Sequence, residues 1–208
     1  MGKTLKKMGK MSRREGVALS TSGKVLKVMQ RRAYAPGMHN APGGQRRRQR
    51  LSVYGMQLRE KQKVKRLYGV LERQFRNYFS KATRMQGNSA ENLARLLETR
   101  LDNVVYRLGF AKTRPQARQM VSHAMFTVNG KKGNIPSYQV RVDEVIAIRE
   151  NKQKKKVFED LAERLAHHTV PGWLTSDGPV AGKVVSMPEG EDLKEVYDPT
   201  LIVEFYSR

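Results

Sequence analysis

The sequence predicts an α+β protein that is mainly helical, with a small helix–hairpin unit near its centre and a flexible basic arm at its N-terminus. Three observations support this class. Apolar residues recur every three or four positions in several stretches between residues 60 and 121, which is typical of helices with one buried face. Short apolar runs then flank an Asn-Gly step, which is typical of a β-hairpin. The first fifty residues show neither pattern.

Residues 1–50 form the predicted arm. Glycines and prolines interrupt it from Gly2 to Gly44, and large apolar residues are few. Such a segment buries too little surface to offset the entropy lost on ordering, so we expect it to fold only against a partner. A disordered tail without a specific role is the alternative.

A first helix is predicted from Glu60 to Ala82, with an apolar stripe that includes Val64, Leu67 and Phe75. Its other face is basic. Almost no acids are interleaved there, which favours a binding face over an ordinary solvated one. The basic residues of this face are Lys61, Lys65, Arg66, Arg73 and Arg76.

A second helix is predicted to start at an Asn88 cap, with Glu91 three residues later as in a capping box, and to end at Gly109.

A short third helix follows, with Thr113 as its cap, Pro115 in its first turn and Gln116 completing a second capping box. Ala117, Met120 and Val121 should face inward. Residues four apart share a helix face, so the outer face should group three polar side chains. These are Arg114, Arg118 and Gln119.

The hairpin is predicted around Asn129-Gly130, with residues 135–142 extended and Val145–Ile148 as a buried strand. Beyond it we expect an amphipathic helix over residues 157–169 and strands over 183–187 and 201–206. The acidic stretch 189–192 should either point away from whatever the basic segments bind or pack back onto the basic helical part.

The charge distribution indicates a polyanionic partner. The net charge is +22, with 23 basic and 3 acidic residues in 1–86, 14 and 6 in 87–158, and 4 and 10 in 159–208. So large a local excess repels itself unless a polyanion neutralises it. The first fifty residues lack the broad apolar helix face of a membrane-surface segment, and no apolar run is long enough to span a bilayer. We therefore expect nucleic acid and no membrane.

Residue types that support catalysis or metal binding are sparse. The chain has no cysteine, which removes thiolate ligands and is consistent with a reducing compartment. His39, His123, His167 and His168 are too scattered for a metal triad, and there is no P-loop. Asp102 and Asn103 favour capping or contact with RNA over acid–base chemistry. We expect no catalysis, metal or cofactor.

Basic side chains at fixed spacing on the third helix and the hairpin turn suit phosphates across an RNA groove, and neighbouring polar side chains suit 2′-hydroxyls. The candidates on these elements are Arg114, Gln116, Arg118, Gln119, His123, Asn129, Lys131, Lys132 and Ser137.

At these positions the sequence resembles a known family. The segments that carry the resemblance are Arg100-Leu-Asp-Asn-Val-Val-Tyr-Arg-Leu-Gly-Phe, Arg114-Pro-Gln-Ala-Arg-Gln, Val128-Asn-Gly-Lys and Ile135-Pro-Ser-Tyr. They resemble the RNA-binding domain of the fourth protein of the small ribosomal subunit. Further segments look like bacterial-type members over nearly the whole chain: Ser12-Arg-Arg-Glu-Gly-Val, Leu58-Arg-Glu-Lys-Gln-Lys, Glu72-Arg-Gln-Phe-Arg-Asn and Glu204-Phe-Tyr-Ser-Arg.

The resemblance implies a helical domain, residues 51–97 plus 162–208, into which a small RNA-binding domain, residues 98–161, is inserted after the arm, residues 1–50. It implies a primary binder of small-subunit rRNA that docks early on the 5′ region, and a position beside the mRNA and the fifth protein of the same subunit. The arginines implied at the mRNA channel are Arg46, Arg47, Arg48 and Arg50. We place Arg13, Arg14, Arg107 and Lys112 among the RNA-binding residues as well.

Many relatives hold a zinc ion with cysteines near the N-terminus and further along. Here Gly9 and Ser12 occupy the first positions and no cysteine follows, so the resemblance implies a zinc-free member. We expect no homo-oligomer and a cytoplasmic, bacterial-type ribosome, with a plastid-encoded copy as the alternative. An RNA-modifying enzyme would need a catalytic domain that residues 159–208 are too few to form. A free-standing RNA chaperone would not explain why the terminal segments also look ribosomal.

Overall fold

The computed structural model describes residues 7–37, 40, 51–193 and 196–207. The chain forms two compact units: Met1–Leu93 with Glu195–Arg208, and Ala94–Lys194. Helices dominate and a small antiparallel sheet lies in the second unit, which confirms the predicted α+β class.

The described part of the first unit is helical. It contains α1 (Met8–Glu15), α2 (Gly23–Arg31), α3 (Val53–Leu67), α4 (Glu72–Arg84) and α10 (Pro199–Tyr206), and α5 (Ser89–Glu98) contains the boundary with the second unit. Its fully buried side chains include Val64, Phe75 and Ile202.

Part of the predicted irregular arm is ordered, which corrects the prediction for residues 7–37. Helices α1 and α2 form there because a few apolar side chains are enough to give each helix a buried side. Met11 of α1, Val25 of α2 and Leu19 between the two helices are buried. The hydroxyl of Ser12, also buried, accepts a hydrogen bond from the Leu19 backbone N–H at 3.2 Å.

The single helix predicted over residues 60–82 is wrong, since the chain forms α3 and α4 there. The break lies at Gly69, whose φ of +63° is a left-handed conformation that ends a helix. Ser52 caps the start of α3 by accepting a hydrogen bond from the Gly55 N–H at 3.1 Å.

The strand predicted over residues 201–206 is also wrong, because α10 occupies this segment. Asp198 caps it by accepting a hydrogen bond from the Thr200 N–H at 2.8 Å, and Pro199 suits the first helical position. These local start features outweigh the β-branched and aromatic composition of the segment.

The second unit is built on a five-stranded antiparallel sheet in the order β2-β1-β3-β5-β4. The strands are β1 (Phe126–Val128), β2 (Lys131–Gly133), β3 (Val145–Ile148), β4 (Leu174–Asp177) and β5 (Ala181–Val184). Asn129 and Gly130 join β1 to β2 with φ of +48° and +75°, which confirms the predicted hairpin turn.

The sheet extends beyond the boundary near residue 161 that the sequence predicts for the RNA-binding domain. Strand β5 pairs with β3, with Val145 opposite Lys183, and residues 162–193 lie in the second unit. In the same unit the acidic stretch approaches a helix: Glu189 Oε1 lies 3.0 Å from Arg95 Nη2 of α5. Glu189 thus pairs with a helix residue of its own unit, and 72% of its side-chain surface remains exposed.

The remaining helices of the second unit are α6 (Leu101–Arg107), α7 (Arg114–Ser122), α8 (Glu150–Gln153) and α9 (Leu161–Ala166). One core contains Leu101, Val105, Val121, Phe126 and Trp173, which joins α6 and α7 to the sheet. Residues 135–142 contribute a single β-bridge to this unit instead of the extended stretch that was predicted.

The predicted second helix is divided into α5 and α6. Between them Arg100 adopts an extended conformation and pairs with Gln139 in that isolated β-bridge. The Leu101 N–H then donates to the Tyr138 carbonyl at 2.8 Å. Gly109, with φ of +80°, follows α6 as predicted.

Candidate nucleic-acid interface

Helices α6 and α7 position the central arginines of the predicted site. Thr113 caps α7 by accepting a hydrogen bond from the Gln116 N–H at 3.3 Å, and Pro115 lies in the first turn, as predicted. The Gln116 side chain accepts from the Lys112 N–H at 2.9 Å, one residue earlier than a capping box requires. Ala117, Met120 and Val121 are buried, so the helix is fixed in the core.

Glu98 organises the first group of basic side chains. Its side chain is 1% exposed. Arg107 donates to both carboxylate oxygens, from Nε to Oε2 at 2.9 Å and from Nη2 to Oε1 at 3.0 Å. Asn103 Nδ2 donates to Oε2 at 2.8 Å, and Arg114 Nη2 lies 3.9 Å from Oε1. A two-point Arg–carboxylate pair of this kind fixes the plane of the guanidinium group.

Asp102 organises the second group. Arg100 donates to it from Nε at 3.0 Å and from Nη2 at 2.7 Å. Arg118 donates from Nη1 at 3.1 Å. Asn103, which is also buried, accepts at Oδ1 from Arg114 Nε at 2.8 Å. The expectation that Asp102 or Asn103 caps the helix is wrong, because the start of α6 has no side-chain cap hydrogen bond. Both residues are buried and hold arginines within the fold.

We call the six charged residues of this arrangement the arginine network; they are Glu98, Arg100, Asp102, Arg107, Arg114 and Arg118. Four guanidinium groups and two carboxylates leave an excess of two positive charges. Each guanidinium carries five N–H donors in a rigid plane, so a group held by one carboxylate is already oriented for another anion. Arg107 and Arg118 are partly exposed, with 22% and 21% of their side-chain surfaces accessible. Arg114 also lies over the Tyr106 ring, 4.7 Å from its centroid.

Glu98 and Arg100 were missed by sequence reasoning. The available signal was their position: charged residues within an otherwise apolar run are seldom buried unless they are paired. The sequence does not reveal which residues form those pairs, because Glu98 reaches Arg107 and Arg114 from a different helix.

The hairpin turn carries the second predicted group. Asn129, Lys131 and Lys132 are exposed. Asn129 is also structural, because its Oδ1 accepts from the Val145 N–H at 2.8 Å. The other predicted polar residues of this unit lie on the surface or partly buried; Lys112, Gln119 and His123 are exposed, and Gln116 and Ser137 are intermediate.

Three of the five residues of the predicted basic face in the first unit form ion pairs with carboxylates of the same unit. Lys61 is buried and lies 2.9 Å from Glu72 Oε1 and 4.3 Å from the centroid of the Phe205 ring, so it is not on the helix surface. Lys65 pairs with Glu72 Oε2 at 2.8 Å, and Arg66 pairs with Glu15.

Glu15 lies between two arginines. Burial raises its pKa above the ordinary value of 4.5, although Arg66 and Arg59 act in the opposite direction. A buried carboxylate therefore ties α1 to α3.

The other predicted contacts of this unit differ in their surroundings. Arg14, Arg73 and Arg76 are exposed. Arg13 donates from Nε to the Tyr34 carbonyl at 2.9 Å, so it ties α1 to the segment after α2. The predicted channel arginines lie outside the described residues: Arg46, Arg47, Arg48 and Arg50.

Glu72 is the main electrostatic link of the first unit. Burial by itself would raise the pKa of this carboxyl, but hydrogen bonds from Lys65, Lys61 and Tyr206 outweigh it and lower the pKa to about 2. Burial and the hydrogen bond to Glu72 raise the pKa of Tyr206, so the phenol stays protonated and donates at 2.9 Å. Glu72 therefore joins α4 to both α3 and α10.

The ionised Glu72 carboxylate makes the stability of the first unit depend on pH in the acid range. Because the folded pKa lies below the ordinary 4.5, Glu72 stabilises the fold fully above about pH 4.5 and loses that contribution as pH falls toward 2. We expect Glu72→Gln to lower the melting temperature at pH 7 and to approach wild type at pH 3. The exposed Glu91→Gln variant is the control. If the difference in melting temperature between wild type and Glu72→Gln were the same at pH 7 and pH 3, the charge of Glu72 would not contribute to stability.

Two negative findings concern the described part of the chain. Among residues 7–37, 40, 51–193 and 196–207, no group of three or more His, Asp or Glu residues could hold a metal ion. Within the same residues, none of the helices is long and apolar enough to cross a membrane.

The fold and the arginine network define a class: a basic protein whose helix–hairpin unit presents fixed arginines and exposed lysines, as structural RNA-binding proteins do. Comparison with known proteins gives the family. Residues 3–98 match the ribosomal protein S4/S9 N-terminal domain, and residues 99–146 match the S4 domain.

Full-length relatives agree with these domain matches. The small ribosomal subunit protein uS4 of Roseiflexus castenholzii is 49% identical over 211 residues and covers 100% of both chains. That of Heliobacterium modesticaldum is 49% identical over 96% of each chain, and that of Desulforamulus reducens is 51% identical over 94% of each. The chain belongs to the uS4 family of small ribosomal subunit proteins.

Proposed function

We propose that the protein is a structural, non-catalytic component of the small ribosomal subunit that binds rRNA directly. The arginine network is the observation that carries this proposal, because buried Glu98 and Asp102 orient arginines before any RNA arrives. Ordering a flexible arginine would cost free energy on binding, and a side chain already held in place avoids part of that cost. The absence of cysteine is consistent with a reducing cytoplasm.

The finer role that we propose is early docking on the 5′ region of the rRNA, so that the protein helps to organise the body of the subunit. Residues 1–158 carry 37 basic and 9 acidic residues. A protein with so large an excess can neutralise many phosphates, which suits binding to bare rRNA before other proteins arrive.

The corresponding test is the salt dependence of binding to a transcript of the 5′ region. Neutralising roughly 6–10 phosphates lowers affinity by about 10³–10⁵ between 50 and 200 mM salt. We expect a slope of that size in a filter-binding titration, and stronger binding to this transcript than to an unrelated RNA of equal length. An affinity that hardly changes with salt would contradict the electrostatic proposal.

We further propose that the start of α3 contacts the fifth protein of the subunit, beside the path of the mRNA. Leu51, Val53, Tyr54 and Met56 are 44–55% exposed. An exposed apolar group of this kind is typical of a protein–protein contact. The arginines at 46, 47, 48 and 50 directly precede it in the sequence, which supports a role near an RNA strand.

The mRNA proposal predicts that these four arginines affect translation of structured mRNA and not assembly of the subunit. Replacing Arg46, Arg47, Arg48 and Arg50 with alanine should leave subunit assembly largely intact, because ordering a Gly- and Pro-flanked segment costs about 1–2 kcal/mol per residue and offsets what its contacts gain. The same variant should slow translation through an mRNA hairpin in reconstituted subunits. Failure of this variant to assemble would place these arginines in rRNA binding instead.

A further inference from the structure

A groove of about 320 Å³ lies in the second unit between the hairpin turn and residues 134–138. That volume is at the lower end of the range for small-ligand pockets, which suits one base and excludes a duplex. Its lining includes Lys131, Lys132, Asn134, Ile135, Tyr138 and Glu144. None of the contacts that form the arginine network involves these side chains.

Two apolar side chains are exposed in this groove. Ile135 is 55% exposed and Tyr138 is 37% exposed. The tyrosine ring is held in place: its hydroxyl donates to Glu144 Oε1 at 2.6 Å. Glu144 is held in turn, because its Oε2 accepts from the Arg141 N–H at 3.1 Å. The groove therefore contains an aromatic face that is both accessible and fixed.

The charges around the groove suit a nucleotide. Lys131 and Lys132 are exposed at its rim, and the single lining carboxylate, Glu144, already accepts hydrogen bonds at both oxygens. The hydrogen bond to Glu144 raises the pKa of Tyr138, so the phenol stays neutral near an RNA strand. An aromatic face flanked by cations is the usual arrangement for an unstacked base, whose ring stacks while the cations meet the adjacent phosphates.

We propose that this groove binds one unstacked nucleobase of an RNA strand, with the base on the Tyr138 ring and the flanking phosphates at Lys131 and Lys132. Tyr138 and Ile135 form the base site, and Glu144 is a positioning residue that fixes the ring. This inference rests on the proposed function and makes it more specific: the groove takes a single-stranded nucleotide, in addition to the phosphates that the proposed function assigns to the partly exposed arginines of the arginine network.

The test compares Tyr138→Leu, which fills similar space without an aromatic face, with Tyr138→Phe, which keeps the face and loses only the hydroxyl. Val142→Ala, an exposed apolar residue outside the groove, is the matched control. Each full-length variant is bound to the rRNA transcript of the 5′ region. Affinity is measured by filter binding, and the reactivity of every unpaired base by chemical probing.

We expect Tyr138→Leu to weaken binding roughly 5- to 150-fold, the equivalent of the ~1–3 kcal/mol that base–aromatic stacking contributes. One base that wild type protects should become reactive again. Tyr138→Phe should protect the same base with an affinity between those of wild type and Tyr138→Leu, because the ring face stays while Glu144 no longer fixes it. Val142→Ala should match wild type. Equal melting temperatures would show that all variants are folded.

Three results would overturn the inference. If wild type binds the transcript and Tyr138→Leu binds equally well with the same protections, the base site is absent while the proposed function stands. If wild type itself does not bind the transcript, the proposed function fails together with the inference. Loss of the protection in Tyr138→Phe as well would show that the hydroxyl, and not the ring face, makes the contact.

Discussion

Replacing Arg114 and Arg118 together with alanine is expected to weaken binding to the 5′ region of small-subunit rRNA by roughly 100-fold. A hydrogen bond to a charged group contributes about 1.5 kcal/mol or more, and two lost contacts of that size give a factor of this order. Hydrogen bonds within the fold orient both side chains. Arg114 Nε donates to Asn103 Oδ1 at 2.8 Å, and Arg118 Nη1 donates to Asp102 Oδ2 at 3.1 Å. We therefore expect them to contact phosphates at little cost in conformational entropy.

The control for this variant removes the same charge from another part of the surface. Lys154 and Lys155 are exposed in the second unit and lie outside the arginine network. Lys154→Ala with Lys155→Ala should weaken binding by much less at the same salt concentration. In a plot of log affinity against log salt concentration, each phosphate contact contributes about one to the steepness of the slope. Loss of two contacts should therefore make the slope shallower by about two. Equal weakening by both double variants would mean that total charge matters and fixed geometry does not.

The second large effect concerns the stability of the second unit. Removing one partner of a buried ion pair leaves the other charge uncompensated, at a cost of about 3–5 kcal/mol. Glu98 is fully buried and holds Arg107 and Asn103 directly. Glu98→Ala is therefore expected to lower the free energy of unfolding by this amount in a urea titration followed by circular dichroism.

The exposed Glu91→Ala variant, on the same helix α5, is the matched control and should change the free energy of unfolding by much less. Glu98→Gln is informative as well: it keeps one acceptor oxygen, replaces the other with an NH2 donor and removes the charge. We expect it to fold with intermediate stability and to bind rRNA more weakly than wild type. A Glu98→Ala variant as stable as wild type would contradict the structural role of the arginine network.

The sequence predicted those parts of the fold that depend on local interactions. The Thr113 cap with Pro115, the glycine after α6 and the Asn129-Gly130 turn need only neighbouring residues, and all three are present in the structure. The break at Gly69 was missed because the apolar spacing continues across it from Leu67 to Phe75. Helix α10 was missed because the β-branched and aromatic residues of 201–206 favour a strand. The helix-start signal of Asp198 and Pro199, just before them, proved stronger.

The candidate site was predictable only in part. The spacing of Arg114 and Arg118 placed both on one face of α7, and in the structure this face meets Asn103 and Asp102 of α6. The predicted RNA contacts themselves remain predictions. The sequence does not show that Asp102 binds Arg118, sixteen residues away, or that Lys61 is buried against Glu72 and Phe205. Such pairs depend on how helices pack, and a basic residue on a helix has the same periodicity whether it meets RNA or a carboxylate.

Co-sedimentation with small ribosomal subunits after a high-salt wash tests the central claim most directly. A structural rRNA-binding component should remain with the subunit in a one-to-one ratio and should be absent from the supernatant. Subunits reconstituted without the protein should be incomplete, and adding it should restore them. A protein that washes off entirely, or that is present in far fewer copies than subunits, would contradict the account and point to a factor that binds RNA only transiently.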